Sequence, residues 1–115
     1  MILSNIWEGF PKKSKGPNVT KLLDTQTSKE LKIEFTKDEM LREHRTPFPI
    51  MIEIFEGEIN FAAEGRTHQL ERGHIISLEA NVPHSLFAVQ NSIVRLTLSK
   101  RDTIGRVKKI DNSNK

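Results

Sequence analysis

The stretch from His44 to His84 constrains this chain more than any other, because short alternating apolar runs follow one another there between closely spaced glycine turns. Ile50, Ile52 and Ile54 fall on one face of an extended chain, and Met51, Glu53 and Phe55 on the other. The run therefore predicts a strand with one wholly apolar side and one mixed side. Glu56-Gly57-Glu58 signals a turn into Ile59 to Ala62, and Glu64-Gly65-Arg66 makes a hairpin that returns through Thr67 to Leu70. Arg72-Gly73 then turns into Ile75 to Leu78. After a loop at Ala80 to Pro83, His84 to Val89 and Ile93 to Leu98 pair across Gln90-Asn91-Ser92. Many short strands at this spacing predict an all-β sandwich or barrel.

Upstream the signal is weaker but of the same kind. Leu31, Ile33 and Phe35 alternate with Lys32 and Glu34, and Val19 to Leu23 is a second β-compatible run across the polar DTQTSKE. Lys37 to Glu43 is built from good helix formers yet is read as extended. The first segment, through about Asn18, mixes Trp7 and Phe10 with Pro11, Gly16 and Pro17, and predicts an irregular arm held by its two aromatics. The expected division is an arm with the first strand over 1–30, a barrel over 31–99, and a basic, partly disordered tail over 100–115.

Composition narrows the chemistry. A chain of 115 residues is expected to form one domain with a modest core. With no cysteine, any metal must be held by nitrogen and oxygen, which leaves histidine and carboxylate. No window approaches the roughly 18 apolar residues of a spanning helix, and MILSNIWEGF has no basic region leading into a sustained apolar run. A cytoplasmic protein with no membrane partner is the expectation. The net charge of +3 resides in the tail, where Lys100, Arg101, Arg106, Lys108, Lys109 and Lys115 face only Asp102 and Asp111. No aromatic is interleaved there for base stacking, so a solvated terminus is expected rather than a nucleic-acid arm.

The run PIMIEIFEGEINF, the hairpin at Gly65, then LERGHIISLEANVPHSLFA and SIVRLTLS together resemble a small single-domain cupin of the RmlC-like, cupin 2 type. The resemblance covers about residues 31 to 99 and implies a double-stranded β-helix, or jelly-roll barrel. Metal-binding cupins carry a His-x-His pair, a glutamate and a glycine in a first motif. Counted back from Gly57, those ligand places hold His44, Thr46 and Ile50. In the second motif, which opens at Gly73, the proline, glycine, histidine and asparagine places hold Glu79, Asn81, His84 and Ala88.

The resemblance thus implies a ligand pocket inside the barrel, bounded by His44, Thr46, Ile50, Ile52, Phe61, His84, Leu86 and Leu96; Met40 is placed on the same inner face, and Arg42, in the charged EMLREHR run, is read as facing solvent. His44 and His84 are the candidate ligands for a divalent transition metal such as Fe, Mn, Ni or Zn. Isoleucine cannot coordinate, and a threonine hydroxyl is a poor ligand for these ions. His68 and His74 are read as exposed polar residues.

Three functions from different classes follow. The first is a cupin that binds a small, largely apolar or weakly acidic ligand beside His84, its metal site degenerate. The second is a metal-dependent enzyme of oxygenase or isomerase type using His44 and His84, an analogy at the level of fold. The third is a non-catalytic, dimeric interaction scaffold. A homodimer is expected in any case, because the Met51 to Phe55 strand has a mixed outer face. No other catalytic arrangement stands out, since Ser77, Ser85 and Ser92 lack a nucleophile elbow and there is no phosphate loop.

Overall fold

Residues 1–100 are described by a computed structural model; the basic tail beyond Lys100 lies outside them. Nine strands follow in order: β1 Asn18–Asp24, β2 Ser28–Phe35, β3 Met40–His44, β4 Ile50–Glu56, β5 Glu58–Ala63, β6 Arg66–Glu71, β7 Ile75–Leu78, β8 His84–Ala88 and β9 Ser92–Ser99. They form a five-stranded sheet, β1-β2-β9-β4-β7, and a four-stranded sheet, β3-β8-β5-β6, so β8 and β9, expected to pair across Gln90-Asn91-Ser92, lie in different sheets and the turn between them crosses from one to the other. The assigned ladders are all antiparallel. Of Lys37 to Glu43, read as extended, Met40 to Glu43 lie in β3, whereas Lys37 and Asp38 form a turn with Asp38 at φ +75°; no helix long and apolar enough to cross a membrane occurs among the described residues.

Cross-strand register explains how the alternation becomes a core. On the inner side of the larger sheet, Ile33 and Ile54 flank Val94, while Ile52 lies opposite Leu96 and Ile50 opposite Leu98. The smaller sheet supplies Ile59, Phe61, Leu70, Leu86 and Ala88 to the same buried cluster. Each large side chain sealed there contributes roughly 2 to 3 kcal/mol over its exposed state, so the interdigitated faces hold the sheets together.

The outer face of the larger sheet is less polar in its surroundings than the alternation of β2 implies. Lys32 is only 1 % exposed, and Glu34 is also buried. The N-terminal arm covers them: Trp7 packs edge-on against Phe55 with centroids 5.6 Å apart, the Lys32 ammonium donates to the Glu8 carbonyl, and Lys12 N–H donates to Glu34 at 2.8 Å. Glu39 completes the anchorage by accepting from Gly16 N–H at 2.7 Å and Thr36 N–H at 2.8 Å, and by pairing with the Lys12 ammonium at 3.3 Å. The arm is irregular and held by its aromatics, and backbone groups and the buried Lys32 add to the attachment.

Two turns meet where the chain crosses between the sheets. Gly57, between β4 and β5, has φ +93°, and a Cβ there would fall 2.2 Å from Ser92 Oγ and 2.4 Å from the Asn91 carbonyl. The Ser92 hydroxyl accepts from Glu58 N–H at 3.0 Å and donates toward the Gln90 carbonyl at 2.8 Å, tying the two turns together. The β5–β6 hairpin is simpler: Glu64 and Gly65 have φ +55° and +76°, the paired positive angles of a type I′ turn. Gly57→Ala is therefore expected to cost about 3 kcal/mol in urea unfolding, combining collision with left-handed strain. Gly65→Ala, with open space around it, is expected to cost about 1 kcal/mol from strain alone. Glu64→Asn should raise stability by about 0.5 kcal/mol, since asparagine tolerates this conformation better.

Candidate functional site

Strands β3 and β8 bring His44 and His84 together as direct cross-strand partners, with imidazole centroids 4.4 Å apart. Strict alternation places Met40, Arg42 and His44 on one face. In the structure the register shifts between Leu41 and His44: Leu41 lies opposite Leu86, and two positions of β8 later His44 lies opposite His84. An extra residue on one strand of a pair reverses which side chains face inward beyond it. Leu41 accordingly packs against the core, Met40 is 47 % exposed and Arg42 is exposed. Met40 thus leaves the inner face on which it was expected, Arg42 faces solvent, and His44 reaches the barrel mouth by way of the irregularity.

His84 arrives from the other side through a tight loop. Asn81 occupies the glycine place of the second motif, and its φ of +67° is the left-handed conformation that asparagine adopts more readily than most residues. Its N–H donates to the Thr46 carbonyl at 2.7 Å, joining this loop to the segment between β3 and β4. His84 is then buried, 2 % exposed as a residue, and its ring stacks against Phe61, centroids 5.9 Å apart. His44 remains exposed above it.

Both imidazoles are oriented in the same manner. His84 Nδ1 lies 2.8 Å from the Val82 carbonyl, and His44 Nδ1 lies 2.8 Å from the Arg42 carbonyl. A carbonyl only accepts, so each Nδ1 carries the proton and each Nε2 of a neutral ring keeps its lone pair. Burial pushes His84 below the ordinary imidazole pKa; the Val82 hydrogen bond opposes that, and the charge of His44 adds to the depression. His84 is therefore a neutral acceptor near neutral pH, held with its back to the strand.

The remaining candidate residues fall into two groups. Ile50, Ile52, Phe61 and Leu86 belong to the sealed core cluster, with Leu96 half-buried against it. Thr46 is half-buried, and its hydroxyl donates to the Phe48 carbonyl at 2.9 Å. His68 and His74 are exposed; His74 Nδ1 accepts Glu71 N–H at 2.8 Å in the β6–β7 turn. Among the described residues, no group of three or more His, Cys, Asp or Glu side chains is placed to hold a metal ion. The donor set does not fit the three-histidine, one-carboxylate centre that the resemblance carries. Sequence reasoning missed Asn81 and the carbonyls of Arg42 and Val82, which aim the histidines. The displaced motif glycine at Asn81 was the available signal.

No protein-family model matches the sequence, and no curated protein does either. Solved structures do. An RmlC-like cupin from Desulfovibrio desulfuricans aligns over 86 % of this chain and 96 % of its own, with a TM-score of 0.77 and 20 % identity. An uncharacterised conserved protein with a double-stranded β-helix domain from Klebsiella pneumoniae covers 87 % and 90 %, with a TM-score of 0.77 at 14 % identity. A conserved protein of unknown function from Streptococcus pyogenes covers 89 % of both chains, with a TM-score of 0.73 at 20 % identity. With two antiparallel sheets closed around one core and neighbours of this kind, the chain has the jelly-roll fold of the small RmlC-like cupins.

Proposed function

We propose that this chain binds a small, largely apolar, weakly acidic molecule at the barrel mouth beside His84, and that it does so without needing a metal. The observation that carries the reading is the His44–His84 pair, with both Nδ1 atoms committed to backbone carbonyls. Such a pair offers two Nε2 acceptors to a ligand O–H or N–H. Phe61 and the buried strand faces beneath supply an apolar floor. If the ligand is acidic enough, its O–H bond breaks as an Nε2–H bond forms, and the resulting anion stays beside an imidazolium.

The metal-dependent reading draws on the same feature, because a ligating histidine commonly has its other nitrogen fixed by a carbonyl. Two imidazoles without a converging third donor make a weak centre, and no reaction step is drawn through one. The homodimer is proposed on a separate surface, where Met51 and Ile75 are exposed on the outer side of β4 and β7. A double variant, Met51→Glu with Ile75→Lys, is expected to shift the protein toward monomer in sedimentation; an unchanged distribution counts against this face.

A titration with 4-nitrophenol, followed through the imidazole carbon-bound protons by NMR, is expected to shift His44 and His84 together and saturably. His84→Ala should weaken the affinity by about tenfold or more, and equal affinity in the variant removes the proposal. Elemental analysis after purification without chelator distinguishes the metal reading: near-stoichiometric metal, lost in both His44→Ala and His84→Ala, establishes it instead.

The pH dependence has a definite sign. With its folded pKa below the ordinary 6.5, His84 binds fewer protons folded than unfolded in that window, so its contribution to stability is complete above 6.5 and is lost as pH falls through the folded value. His84→Gln is expected to flatten that part of the stability curve, measured as the difference from wild type in urea midpoints between about pH 7 and 5.

A further inference from the structure

A cavity of about 380 Å³ lies at the other end of the barrel from the histidine pair, between the N-terminal arm and the strand ends at Glu34, Glu56 and Ile93. Strand β5 marks the separation, since it starts at Glu58 behind Gly57 and ends at Ala63, the cross-strand partner of His84. The histidine site and this cavity are therefore independent.

Two of its walls are aromatic. Trp7 and Phe10 meet at 5.1 Å with their ring planes 77° apart, forming a corner, and Phe55 supports Trp7 from outside the cavity at 5.6 Å. Both rings of the corner are about half exposed, although they are the two large aromatics that hold the arm down. Phe35 and Ile93, both buried, close the cavity floor.

The polar lining is anionic. Glu34 lines the cavity at only 7 % exposure, with Oε2 accepting from Lys12 N–H at 2.8 Å. A carboxylate has about four lone-pair sites, so this one keeps acceptor capacity for a ligand. Glu56 is the second carboxylate, and Arg72 reaches it only at 3.8 Å from an exposed position outside the cavity. The one cation in the lining, Lys12, is already consumed: its ammonium bonds the Ser14 carbonyl at 2.5 Å and Glu39 at 3.3 Å.

We propose that this cavity binds a small organic cation, an ammonium group carried on an aromatic or apolar body. The ammonium sits between Glu34 and Glu56 and against the ring faces of the corner, where a cation over Trp or Phe gains attraction from the ring quadrupole. The body fills the apolar floor. An anionic ligand is repelled by the carboxylates, and a neutral donor gains less from them than an ammonium does; a cavity of this volume is at the lower end of the range for small-molecule sites, about 300 to 1,000 Å³.

Trp7 is the only tryptophan in the chain, so its emission reports occupancy directly. Phenethylammonium is expected to change the Trp7 fluorescence of the full chain saturably and to give matching heats in calorimetry, while uncharged phenethyl alcohol binds at least tenfold more weakly. Glu34→Gln should lose the preference for the cation. Because Glu34 also holds the arm through Lys12 N–H, Glu56→Gln is the second variant, and it is expected to weaken phenethylammonium several-fold with urea stability unchanged. Equal binding of amine and alcohol, absence of saturable binding, or cation affinity unchanged in both glutamine variants overturns the proposal.

Discussion

The contact of Gly57 with Ser92 is the constraint on which both ends of the barrel depend. At this point the chain passes from the larger sheet to the smaller through the β4–β5 turn and comes back through the β8–β9 turn. The two turns are stacked so closely that a single methyl group does not fit between them. One hydroxyl, that of Ser92, bridges them. Four strands therefore share one register, and the positions of His84 on β8, Glu56 on β4 and Ile93 on β9 are set together rather than one by one.

The histidine pair shows how a fold built on period two obtains a functional placement by departing from it. Without the irregularity in β3, Leu41 and His44 could not both face the barrel. Without the left-handed backbone at Asn81, the loop before β8 could not turn back to the Thr46 carbonyl. Both departures are bonded into the structure, since Arg42 and Val82, the residues two positions before each histidine, supply the carbonyls that fix the rings. The imidazoles are held by the same backbone that misaligns the strands.

Where the sequence was legible, it was so because local rules and tertiary structure agreed. The alternation of Ile50, Ile52 and Ile54, the turns at Gly57 and Gly65, and the strand beginning at His84 all appear as read. Alternation misplaced Met40 because a register shift is decided by the pairing of two strands and leaves no mark in one of them. It also gave no warning that Lys32 and Glu34 would be covered, since their cover comes from Glu8 and Lys12, more than twenty residues away in an arm without periodicity. The anionic cavity was illegible for the same reason: its walls come from four separated segments, and none carries a motif.

Strand β9 is the last of the described strands in sequence, yet it lies in the middle of the larger sheet, between β2 and β4. A chain emerging from the ribosome N-terminus first can form the β1–β2 hairpin and pair β4 with β7, but these pieces have nothing to join them. Ile33 and Ile54 wait on open edges for Val94. A chain that stops short of β9 therefore leaves β2 and β4 each with an unpaired edge, beside Ile33 and Ile54.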